Sequence, residues 1–139
     1  MKLIDSLYKV ISDTRSETGH VYSIELDPEH FIYKAHFPGE PITPGVCIMQ
    51  IAKELLEKSI GLSLELSCVR NVKFLRIISP AEVTEVDYVL QKIVRENDEV
   101  KVQVSVTSGE DTYAKLSLIC RIRSTLQDRN RLFATEESA

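Results

Sequence analysis

The chain has 139 residues and carries 17 Lys and Arg against 21 Asp and Glu, for a formal net charge of −4. With 43% hydrophobic and 27% charged residues it has ordinary globular composition and a length suited to one core, which excludes a disordered or collagen-like chain. The acidic balance lacks the electrostatic footprint of a phosphate-backbone binder, so nucleic acid is not an expected partner. The opening stretch, Met1 to Asp13, scatters its charges and holds no apolar block of the kind that precedes a signal cleavage site. No apolar run approaches the roughly 20 residues that span a bilayer, so the expectation is a cytoplasmic protein without a membrane partner.

In chain order, Tyr8 to Thr14 and His20 to Leu26 are β-favouring runs joined by a polar segment with Gly19 near its turn, which predicts a hairpin. A helix follows, with Thr43 as N-cap, Pro44 as first residue, an apolar-periodic stretch from Val46 to Ile60, and Gly61 as stop. At 100° per residue Ile48, Met49, Ala52, Leu55, Leu56 and Ile60 share a broad face, opposite Lys53, Glu54, Glu57 and Lys58. Four β-type segments come next: Leu64 to Ile78, Glu82 to Val94, the alternating Val100 to Val106, and Leu116 to Ile122. Residues 126–139 are polar and are expected to form a mobile tail outside a domain of residues 1–125. The pattern is α+β, one helix on an antiparallel sheet, with open sheet edges that a dimer would cover.

Three cysteines, Cys47, Cys68 and Cys120, lie far apart among apolar neighbours and read as reduced core thiols, with no metal-ligand spacing among them. His20 and His30 read as solvent-facing. Of only 5 prolines and 5 glycines, three prolines and two glycines fall between Pro38 and Gly45. Prolines fix φ and glycines allow close backbone approach, so His36-Phe37-Pro38-Gly39-Glu40-Pro41-Ile42-Thr43-Pro44-Gly45-Val46 should be a rigid loop. It delivers Gly45 and Val46 to a helix N-terminus, where free N–H groups favour developing negative charge. His36 stands just ahead, and a histidine can act as a base at neutral pH.

The string HFPGEPITPGV resembles the HFPGxPxxPGV signature of the 3-hydroxyacyl-acyl-carrier-protein dehydratases, matching every defined position. The resemblance runs from about Tyr8 to Arg123 and takes in Asn71-Val72-Lys73-Phe74 and Pro80. It implies a hot-dog fold, a central helix wrapped by an antiparallel sheet, in a homodimer or larger even oligomer. It also implies a cofactor-free elimination of water from an acyl-carrier-protein or acyl-CoA thioester. His36 takes the base position, and the Gly45 N–H takes the position that polarises the thioester carbonyl. Phe37, Pro38, Gly39 and Val46 fall at substrate-lining positions. Gln50 stands where the family has its acid, Glu or Asp. An amide does not titrate in this range, so Gln50 can hold the departing water but not protonate it. Ala35 replaces a common Gly, and a PHRYPF-like N-terminal segment is missing.

Each site residue also has a plainer reading: His36 as a loop histidine, Gln50 as a surface residue beside Glu54 and Glu57. Lys73, Arg76, Arg121 and Arg123 are either solvated strand charges or contacts for an acidic carrier protein. Two alternatives to a working dehydratase follow. One is a weakened acyl-carrier-binding subunit that pairs with a carboxylate-bearing paralogue. The other is a hot-dog thioesterase, in which a polar helix residue orients water.

Overall fold

The computed structural model describes residues 2–123. Six strands form one antiparallel sheet: β1 (Tyr8–Arg15), β2 (Gly19–Leu26), β3 (Leu64–Phe74), β4 (Glu85–Glu96), β5 (Glu99–Ser108) and β6 (Asp111–Ile122). Their order is β1-β2-β4-β5-β6-β3, so β1 and β3 are the edges. A short helix, α1 (Phe31–Ala35), precedes the long helix α2 (Gly45–Ile60). This is the α+β hot-dog arrangement, with α2 held against the inner face of the sheet.

The core follows the period-two pattern. Val100, Val102, Val104 and Val106 on β5 and Ala114, Leu116, Leu118 and Cys120 on β6 are buried, meeting Ile48, Ile51, Ala52, Leu55 and Leu56 of α2 in one cluster. Strands with one buried and one wet face are what such alternation produces. The hairpin glycine is needed for a tertiary reason as well as for its turn: a Cβ on Gly19 would collide with the backbone carbonyl of Leu90 on β4.

The structure corrects several expectations. The segment read as Leu64 to Ile78 ends its ladder at Phe74, because Leu75 and Arg76 N–H both turn onto the Tyr113 carbonyl, at 2.8 and 3.2 Å. The next strand begins at Glu85 rather than Glu82. The helix starts one residue late: Pro44 occupies the cap and Gly45 is the first helical residue, while the buried Thr43 hydroxyl bonds Tyr33 Oη at 2.9 Å. The sequence reading missed α1 altogether. The tail at 126–139 lies outside the described residues.

Two polar groups expected in water are buried. His20 is 5% exposed, and its ring joins Ser59 Oγ and Asp13 Oδ1, both at 2.9 Å, so it ties β1 and β2 to the end of α2. Glu54 is 7% exposed and accepts from Leu3 N, Ile4 N and Tyr8 Oη at 2.8 to 3.0 Å. Buried polar groups need such partners, since an unpaired one costs about 1–3 kcal/mol. His30 is half-buried, with one ring nitrogen accepting from Ile32 N at the start of α1 and the other bonded to Ser6 Oγ. Of the cysteines, Cys47 and Cys120 are buried and Cys68 is half-buried; all three are free thiols. Burial pushes the Cys120 thiol up to about 11.

Burial also raises the phenol pKa of Tyr8, Tyr22, Tyr33 and Tyr88 above the ordinary 10.0, with the Glu54 carboxylate adding to the effect at Tyr8. A raised pKa in the folded state means that the unfolded chain ionises first. The stabilisation is therefore complete below pH 10 and is lost as pH climbs beyond it. The melting temperature should be level from pH 7 to 9 and fall steeply above 10. Tyr88→Phe, which removes the most buried phenol, should make that fall shallower; an identical alkaline slope would refute the assignment.

Candidate active site

The candidate site is built where the proline-rich loop meets α2. His36 closes α1, its N–H bonded to the Ile32 carbonyl at 3.0 Å, and its own carbonyl accepts Ile42 N at 2.8 Å. Within that ring Phe37 N donates to the Glu40 carbonyl and Glu40 N to the Phe37 carbonyl, at 3.1 and 2.9 Å. Gly39 is needed at the tip, where φ is +84°. Thr43 N then bonds the Ile78 carbonyl at 2.8 Å, fixing the loop to the segment that follows β3. The loop is closed by these backbone bonds as well as constrained by its prolines.

Beyond it, Cys47 and Ile48 N–H share the Pro44 carbonyl, at 3.0 and 3.1 Å. Pro44 has no N–H, so the amides left at this helix end are those of Gly45 and Val46. They carry the positive end of a 16-residue helix. A cleft of about 280 Å³ opens beside Gly45, walled by Ile42, Ile48, Phe74, Leu75 and Ile77. A second, of about 530 Å³, lies across Ile42 and Ile77 and reaches Gly39, Pro41 and Tyr113. An apolar slot with amide donors at one end can take a chain that ends in a carbonyl.

The structure brings some of the expected residues together and leaves others apart. His36 and Gly45 stand at the two ends of the loop, Gly45 on the wall of the smaller cleft and His36 on the wall of neither. Pro38 and Gly39 form its tip, and Phe37 and Val46 project from it, 57% and 70% exposed. The imidazole of His36 is itself exposed, edge-on to Phe37 at a centroid distance of 5.8 Å. Gln50 is half-buried and walls neither cleft; its Nε2 donates to Glu54 Oε2 at 2.7 Å. Sequence reasoning missed the buried Tyr33–Thr43 hydroxyl pair and the Glu54 carboxylate. The i, i+4 spacing of Gln50 and Glu54 was a visible sign of the latter.

Of the basic candidates, Arg76 reaches Asp111 at 3.5 Å and lines both clefts, while Lys73 stands opposite Lys115 in the β3–β6 ladder. Arg121 and Arg123 are exposed. Among the described residues no three His, Cys, Asp or Glu side chains converge as metal ligands would, and no helix is long and apolar enough to cross a membrane.

Residues 12–117 match the family model of the ApeI-like proteins, described as ApeI dehydratase. The chain belongs to the ApeI-like dehydratase family. It is 32% identical over 69 residues to the 3-hydroxyacyl-[acyl-carrier-protein] dehydratase FabZ of Clostridium acetobutylicum, covering 45% of this chain and 49% of that one. The ApeI-like chain thus spans about half the length of this FabZ and of that of Latilactobacillus sakei. Among solved structures, the dehydratase heterocomplex ApeI:P of Xenorhabdus doucetiae superposes with a TM-score of 0.61 at 17% identity, over 81% of this chain and 96% of that one. A hypothetical thioesterase of Streptococcus pneumoniae, solved with coenzyme A, gives 0.58 at 11% identity, over 83% and 84%. At such identities the likeness is one of fold. The family assignment rests on the sequence match.

Proposed function

We propose that this protein is a 3-hydroxyacyl-thioester dehydratase of fatty-acid or polyketide-type synthesis, acting on an acyl-carrier-protein or acyl-CoA substrate to give a trans-2-enoyl thioester. The observation that carries it is the closed loop that leads from His36 to a helix end whose first residue, Gly45, borders a largely apolar cleft. On this reading the thioester carbonyl accepts from Gly45 N–H, which stabilises the enolate that forms when His36 removes the α-proton. Gln50 then holds the 3-hydroxyl while the protonated His36 returns the proton to it, so that the C–O bond breaks, water leaves and the enolate collapses to the 2-enoyl thioester.

In a single chain His36, Phe37 and Val46 are exposed, and so are Val72, Phe74, Leu75 and Ile77 at and beyond the open β3 edge. A second hot-dog chain laid along that edge would cover them and supply the Gln50, or its equivalent, facing His36. The partner is either a second copy or a paralogue with a carboxylate at this position. That ApeI:P is a dehydratase heterocomplex supports a heteromeric reading.

The test is to incubate the purified chain with 3-hydroxyacyl and 2-enoyl thioesters and follow both, alone and as Gln50→Glu. Interconversion that accelerates in Gln50→Glu is the expected result, because restoring a general acid is worth about 10²–10⁴-fold. No turnover by either protein would overturn the self-sufficient enzyme in favour of the mixed pair, and free-thiol release without dehydration would favour a thioesterase.

A further inference from the structure

A buried carboxylate at the middle of the site helix has no role in the reading above. Glu54 lies one turn beyond Gln50, is 7% exposed, and gathers four donors from three parts of the chain: Gln50 Nε2 at 2.7 Å, Leu3 N and Ile4 N at 2.8 Å, and Tyr8 Oη at 3.0 Å. Four converging N–H and O–H groups, with no acceptor among them, are the complement of an ionised carboxylate, which can only accept. An amide has two ends, and only its NH₂ end can face such a group. Toward Glu54 the Gln50 amide therefore presents its NH₂ end.

We propose that Glu54 is a positioning residue for the site: from one turn away it fixes which end of the Gln50 side chain faces inward along the helix, and it imposes its negative charge on whatever group stands at position 50. The role rests on the reading of Gln50 as the residue that holds the departing water. It also explains how an amide at this position has a defined polarity. A donor–acceptor group that could flip would hold a hydroxyl in two ways; a clamped one holds it in one.

Other charged groups bear on Glu54 too. Tyr8 of β1 bonds it, and Lys2, Lys53, Glu57, Lys58 and Arg123 share with it a cavity of about 450 Å³. Because these remain in place in every variant below, comparison between variants isolates the Gln50–Glu54 pair.

The experiment introduces a titratable reporter. In Gln50→Glu two carboxyls stand at the distance of the present 2.7 Å hydrogen bond, and they cannot both ionise without repulsion. In Gln50→Glu/Glu54→Gln the new carboxyl faces an amide instead. With ¹³C-labelled glutamate and no substrate present, NMR should show the carboxyl introduced at position 50 losing its proton at a pH about one unit or more higher in the single variant than in the double. Glu54→Asp in the Gln50→Glu background, which withdraws the charge by one methylene while keeping an acceptor for the other donors, should fall between, and it serves alone if the double variant does not fold. Coincident midpoints would overturn the proposal. The alkaline limb of kcat in the Gln50→Glu proteins should move with the NMR midpoint. Separated midpoints without turnover in any variant would leave the clamp standing and remove the self-sufficient dehydratase in favour of the mixed pair.

Discussion

In the dehydration assay His36→Gln should lower kcat by about 10²–10⁴-fold, the contribution of a positioned base, with KM changed little. Glutamine keeps the size and hydrogen-bonding capacity of the ring but cannot take up a proton at neutral pH. The fold should be untouched, because His36 contributes to it through its backbone, Ile32 to His36 and His36 to Ile42, while its side chain is exposed. A melting temperature equal to the parent's therefore separates lost chemistry from lost structure. Turnover within tenfold of the parent would remove His36 as the base and return it to the role of a loop histidine.

Gly45→Val should come next in size. A Cβ at position 45 would stand 3.0 and 3.2 Å from Cζ and Cε2 of Phe74, tighter than ordinary contact, and valine adds two further methyls in the same direction. Phe74 is half exposed and can swing away, so the chain still folds, but the swing fills the cleft beside the helix end. The amide remains while the carbonyl is kept from it. We expect a loss comparable to deleting one oxyanion donor, about 10²–10³-fold in kcat/KM. Gly45→Val/Phe74→Ala should recover part of that loss, since it vacates the space that the ring is pushed into. If Gly45→Val alone stays near parental activity, the thioester carbonyl does not bind at this helix end.

How much of this the sequence carried depended on the range of the forces involved. The loop was legible because its determinants are local: prolines set φ, Gly39 permits the tip, and the helix begins where Pro44 can no longer donate. Period two exposed β5 and β6, whose inner faces are uniformly apolar. Glu54 was misplaced because its burial comes from the first residues of the chain folding back onto α2, and no periodicity within the helix encodes that. His20 was misread similarly, since its partners Asp13 and Ser59 lie on other elements. The run Leu75-Arg76-Ile77-Ile78 looked like more strand, yet the ladder ends when the Tyr113 carbonyl takes two successive amides. Five residues of α1 are too few to display a period at all.

The strand order has a kinetic meaning. Among the described residues β3 pairs with β6 alone, Leu64 against Ile122 and Phe74 against Ala114. On a ribosome, the loop with His36 and the whole of α2 exist well before β6 does, yet the ring that walls the cleft at Gly45 has no ladder to hold it until the last strand has been made. Long-range pairing of this kind is slow to form, because the intervening chain must close before the contact repays it. The proline-rich loop is thus early and local, whereas the ring that walls the cleft beside it is late and distant, and a nascent chain would form the loop before it had the cleft.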